Sequence, residues 1–168
     1  MGWVWAAITK ARNLQPSPDP KDNLIHLGVL IGFRGRVSPP LPDQFLGSPV
    51  NTVDVALDFS TVASSFQTAA LAIRNTLGKF NSTAVCDMMY EISQLQRPYR
   101  HWNGFFGSTH TITTSWLRLN VQNIQFDPEG ETPYFVHPLI SKVDACVCIL
   151  EAEAAKKDQK KWTEQGAF

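Results

Sequence analysis

The chain has 168 residues, 43% of them hydrophobic, and its 15 basic and 15 acidic side chains cancel to a formal net charge of zero. That much apolar material can bury a core, so wholesale disorder is excluded. No basic block stands out beyond Lys156-Lys157 and Lys160-Lys161, and no apolar run is long enough to cross a bilayer, so neither a nucleic-acid partner nor a membrane span is expected.

Trp3, Val4, Ile8 and Ala11 recur at helical spacing and predict a helix over Met1 to Arg12. No capping residue precedes it, which is expected where an older element has been cut. Met1 to Ala7 is too short for a signal peptide and lacks a basic segment before it, so a cytoplasmic location is expected. Residues 15–23 hold Pro16, Pro18 and Pro20 and read as a loop. Leu24 to Arg36 reads as a buried strand, with Leu27, Val29, Ile31 and Phe33 on one face. Gly28, Gly32 and Gly35 suit close approach to another backbone or a ligand. Ser38 to Pro42 is extended, because Pro39-Pro40 fixes φ and blocks a helix.

Val50 to Phe59 is a second strand, with Val53, Val55, Leu57 and Phe59 inward. Ser60 is the expected cap of one helix carrying Val62, Phe66, Ala69, Ala70, Ile73 and Leu77 as a stripe and ending at Gly78. A further helix is expected from about Ser82 to Leu95, closed by Pro98. Thr109 to Leu119, rich in threonine, reads as a strand, as does Val143 to Leu150. Residues 152–168 are expected to form a polar helix and tail. The pattern predicts one α/β domain over residues 1–168, a mixed β-sheet with flanking helices.

Several segments, in order, resemble the second half of a BAHD-type acyltransferase. Trp5-Ala6-Ala7-Ile8-Thr9-Lys10-Ala11-Arg12 looks like the helix that opens that half. Phe33-Arg34-Gly35-Arg36, then Pro39-Pro40-Leu41-Pro42, then Phe45-Leu46-Gly47 resemble the family's arginine, Pro-Pro-Leu-Pro and aromatic-x-Gly-Asn, with Ser48 in place of the asparagine. Thr114-Ser115-Trp116 resembles the family's Thr-Ser-Trp strand, and Val143 to Leu150 its late strand. The resemblance implies a chloramphenicol-acetyltransferase-like half-domain. It covers nearly the whole chain but less than half of a family member.

Two departures matter. The family's general base is the histidine of His-x-x-x-Asp, in the half this chain lacks; the nearest local candidate, His137, has Ser141 where the aspartate would stand. Where the family carries Asp-Phe-Gly-x-Gly, this chain has Gln125-Phe126-Asp127-Pro128-Glu129-Gly130.

The resemblance places Thr114 and Trp116 in the region that stabilises the tetrahedral oxyanion of acyl transfer, as a hydroxyl and an indole N–H donor; without it they read as a strand threonine and a core tryptophan. Arg34 and Arg36 share a face and suit a phosphate or carboxylate, whereas the resemblance favours a structural role at a domain interface. His110 precedes Thr114 by four residues on the same strand face, and His101 lies in an aromatic loop with Phe105; both histidines are acid–base candidates, and Phe105 a candidate pocket wall. Cys86, Cys146 and Cys148 are odd in number and irregularly spaced, which fits plain thiols rather than a disulfide framework or a metal site.

The expected function is therefore an acyltransferase-like domain, as one half of a split enzyme, with a pocket for acyl-CoA and a hydrophobic ligand, requiring no bound cofactor, with acyl-CoA as co-substrate. The alternatives are a truncated transferase repurposed as a secondary-metabolite cyclase or isomerase, and a non-catalytic interaction domain. A half-domain bares an apolar interface, so a homo-oligomer or a partner half-domain is expected to cover it.

Overall fold

The computed structural model describes residues 1–97, 107–117, 119–126, 128, 130, 132–133, 136–139 and 144–150, without the side chains of residues 20, 22 and 122. The expected helix over 152–162 lies outside the described residues, as do His101, Phe105, Ser141 and Val143. The chain forms two compact units, Met1–Thr114 with Ser141–Val147, and Ser115–Ile140 with Cys148–Phe168.

Four strands, β1 (Leu24–Gly32), β2 (Val50–Asp58), β3 (His110–Ser115) and β4 (Cys146–Ile149), form one mixed sheet in the order β2-β1-β3-β4. β1 and β2 are antiparallel, with Leu27 opposite Val55 and Val29 opposite Val53. β1 and β3 are parallel, with His26 opposite His110 and Val29 opposite Thr113. Period two then sorts the side chains into two faces. Ile25, Leu27, Val29, Ile31, Val53 and Val55 are buried on one face, beneath Trp5 and Ala6 of α1 (Gly2–Arg12), Val62 of α2 (Phe59–Ser64) and Ala69 and Ile73 of α3 (Phe66–Lys79). Thr111 and Thr113 pair with Leu27 and Val29 and share that face. The other face carries His26, Leu30, Asp54, Ala56, His110, Ile112 and Thr114, half-buried or exposed, with Gly28 and Thr52 buried among them.

The expected elements are present with altered limits. The first strand stops at Gly32 rather than Arg36, because Arg36 and Val37 donate their N–H groups back to the Phe33 carbonyl and turn the chain. The single helix expected after Ser60 is two. The Asp58 carboxylate caps α2 by accepting from Ser60 N, and Ser65, extended at φ −141°, caps α3 by accepting from Thr68 N. Gly78 lies inside α3, which ends at Lys79. α4 (Ser82–Ser93) starts from Asn81, whose side chain accepts from Ala84 N. Val85 of α4 is fully buried, whereas Met89 is exposed, as is Leu95 just beyond the helix. The strand expected to reach Leu119 ends at Ser115, and β4 begins only at Cys146, after Ala145 at φ 57°.

Gly2 has a specific steric reason. A Cβ there would lie 2.8 Å from both the Cβ and the backbone N of Ala70, so α1 and α3 touch nearly backbone to backbone at this point. At the other end of α1, Asn13 takes the left-handed cap at φ 45° and donates its N–H to the Lys10 carbonyl.

Candidate functional site

The face of the sheet opposite the core collects the polar side chains that could do chemistry in the first unit. β1 supplies His26, β2 Asp54, and β3 His110 and Thr114. His26 Nδ1 lies 2.8 Å from Asp54 Oδ2. The His26 and His110 rings, register partners on parallel strands, stack with centroids 4.6 Å apart and planes 8° from parallel. Arg12, at the end of α1, donates to the His110 carbonyl oxygen at 2.8 Å and to Asp144 at 3.1 Å.

Thr114 is half-buried on this face, next in line after Thr113, which pairs with Val29. His110 and Thr114 do share a face, but four residues at about 3.3 Å each separate their Cα atoms by roughly 13 Å. They cannot both touch one reacting atom. Ile112 paves the space between them. Its Cγ1 would lie 3.6 Å from a Cβ on Gly28, and Thr52 Cγ2 already fills that position at 2.9 Å.

The two arginines are occupied by backbone. Arg34 donates to the carbonyls of Pro42 at 2.6 Å and Phe45 at 3.2 Å, with its guanidinium 5.7 Å from the centroid of the Phe45 ring. Arg36 donates to the carbonyls of Leu77 at 3.2 Å and Phe80 at 2.7 Å, at the C-terminal end of α3. These contacts pin the Pro-Pro-Leu-Pro loop and cap a helix, so the donors recorded for both arginines serve the fold rather than a ligand.

Trp116 lies in the second unit, half-buried, and donates its backbone N–H to the Ile149 carbonyl at 2.8 Å. His137 is exposed. None of the three cysteines is in a disulfide. Among the described residues no cluster of three or more His, Cys, Asp or Glu could hold a metal ion, and no helix is long and apolar enough to cross a membrane. A cavity of about 280 Å³, lined among others by Trp3, Lys10 and Phe66, sits at the corner of α1, α2 and α3, on the helix side and not on the face that carries Thr114.

Burial is the main reason that the His110 pKa lies below its ordinary value of 6.5; the neighbouring His26 and Arg12 lower it further, against the pull of Asp54. The unfolded chain therefore binds a proton more readily than the folded one. The contribution of His110 to stability is intact above about pH 6.5 and is lost as pH falls through the depressed value. Urea unfolding at pH 7.5 and pH 5 is expected to show lower stability in acid, and His110→Gln is expected to flatten the difference. Equal or greater stability of the parent at pH 5 would contradict this.

Sequence reasoning placed Thr114 and His110 on one face. It missed the His26–Asp54 pair, because 28 positions separate the two residues. The alternation of both strands was readable, but the register that sets Asp54 diagonally across from His26 was not.

Comparisons with known proteins bear on the family and the fold. The Transferase family profile matches residues 1–163. The chain is 26% identical over 129 residues to hydroxycinnamoyltransferase 1 of Oryza sativa subsp. japonica, which covers 73% of this chain and 27% of that protein. Among solved structures, vinorine synthase superposes with a TM-score of 0.64 at 16% identity, over 90% of this chain and 34% of that one. TRI101 of F. sporotrichioides, solved with coenzyme A and T-2, superposes with a TM-score of 0.64 at 12% identity, over 88% and 34%. The chain thus spans between a quarter and about a third of the length of these relatives. The chain belongs to the Transferase family, that of the BAHD acyltransferases, and its mixed sheet with flanking helices is part of their fold.

Proposed function

We propose that this chain is an acyltransferase-like domain supplying the acyl-CoA and oxyanion side of an acyl-transfer site. The observation that carries the reading is the family match over nearly the whole chain, combined with coverage of only about a third of each solved relative. Acyl transfer needs a base to deprotonate the acceptor alcohol or amine and a donor to steady the oxyanion formed at the thioester carbonyl. The Thr114 hydroxyl, on the face opposite the core, is the donor; Trp116 enters only through its likeness to the family's Thr-Ser-Trp strand. Coenzyme A leaves as the free thiol, and an apolar acceptor takes the acyl group.

No histidine of this chain is followed four positions later by aspartate, so a second copy of the chain does not add the His-x-x-x-Asp base. The partner on this reading is a half-domain that carries it. Coexpression with a polypeptide bearing that segment, followed by a thiol-release assay with an acyl-CoA and an alcohol, is expected to give turnover only when both are present. Failure of the two to associate, or a stable complex that releases no thiol, would overturn the reading.

A further inference from the structure

His26, Asp54 and His110 are not used by the acyl-transfer reading. The core lies on the other face of the sheet, and a half-exposed His–Asp contact adds little stability. Their arrangement is nonetheless specific. With the Asp54 carboxylate accepting from Nδ1–H of His26 at 2.8 Å, the neutral His26 ring carries its lone pair on Nε2. The His26 and Asp54 side chains are 27% and 35% exposed, so a ligand can reach them. His110 stacks on the His26 ring, and Arg12, which also contacts Asp144, donates to the His110 carbonyl oxygen. Acid–base exchange requires an imidazole held in one tautomer, which the Asp54 contact supplies. Beside the dyad the sheet surface is apolar, floored by half-buried Ile112 and Leu30.

We propose that His26, positioned by Asp54 and backed by His110, forms a proton-transfer site for a small apolar compound whose C–H is acidified by conjugation. Nε2 of His26 takes that proton, leaving the electron pair in the conjugated system. The resulting imidazolium returns the proton to a second atom of the same ligand. The net change is an isomerisation, with no bond to the protein and no redox partner. Asp54 is the positioning residue, since it holds the tautomer and the ring direction.

The test needs neither coenzyme A nor a second chain, so it stands or falls separately from acyl transfer. The probe is 5-nitrobenzisoxazole. A base removes its ring C–H proton, that pair forms the nitrile, and the N–O bond breaks to give a coloured phenolate; water then takes the proton from the base. The full chain is expected to give a saturable rate with a sigmoidal rise in pH. His26→Gln is expected to lower that rate at least tenfold, and Asp54→Asn several-fold with a displaced pH midpoint, while His137→Ala changes neither. A folded His26→Gln variant at the parental rate would overturn the proposal. If that variant does not fold, an Asp54→Asn variant with unchanged rate and unchanged pH profile would overturn it.

Discussion

Trp5→Ala is expected to lower the unfolding free energy by about 3–5 kcal/mol, a large share of the roughly 5–15 kcal/mol available to a domain. Trp5 is 1% exposed and is among the largest fully buried side chains of the core. It projects from α1 into the cluster formed by β1, β2, α2 and α3. Only small residues accompany it from that helix: Gly2, Ala6 and Thr9 are the other buried positions of α1. None of these can grow to fill the space, and Gly2 already touches the Ala70 backbone. The truncation therefore removes the main apolar anchor of the helix and leaves a cavity whose walls are fixed. Trp3, two residues away, is 69% exposed, and Trp3→Ala is expected to cost less than about 0.5 kcal/mol. Urea unfolding of the two variants checks the contrast. Equal losses would mean that the burial of α1 is not what holds it to the sheet.

That contrast was only partly legible in the sequence. Helical spacing grouped Trp3 with Val4, Ile8 and Ala11, yet the buried set is Gly2, Trp5, Ala6 and Thr9. The helix is apolar on most sides, so periodicity identified the helix without identifying its face. The strands were clearer, because alternation has only two solutions, and Val53 and Val55 of β2 point to the core as expected. Boundaries failed where side chains compete with the backbone. Asp58 and Ser65 each cap a new helix, and Ser65 splits an apolar stripe that reads as continuous. At the site, Arg34 and Arg36 share a strand face in the sequence, but a turn ends the strand before them and sends each to a different set of carbonyls. The His26–Asp54 contact depends on strand register, which no short-range pattern encodes.

The adjacent threonines of β3 offer the sharpest functional contrast. In the reconstituted acyl-transfer reaction, Thr114→Val is expected to lower kcat by about 10²–10³, the loss typical of one oxyanion donor. Valine keeps the β-branched shape and the strand preference and removes only the O–H, so folding and the KM for acyl-CoA should change little. Thr113→Val is expected to do the reverse. Thr113 is 3% exposed on the core face, and its buried hydroxyl has no hydrogen-bond partner among the described residues. Removing an unsatisfied buried hydroxyl relieves a desolvation cost of about 1–3 kcal/mol, so this variant should be as stable as the parent or more stable, with unaltered turnover. Successive residues on a strand point to opposite faces, which is why one hydroxyl can serve chemistry while its neighbour only burdens the core. Parallel measurement of kcat and of the urea midpoint separates the two effects. A Thr114→Val enzyme with parental kcat would remove this threonine from the reaction, and a destabilised Thr113→Val would show that its hydroxyl has a partner after all.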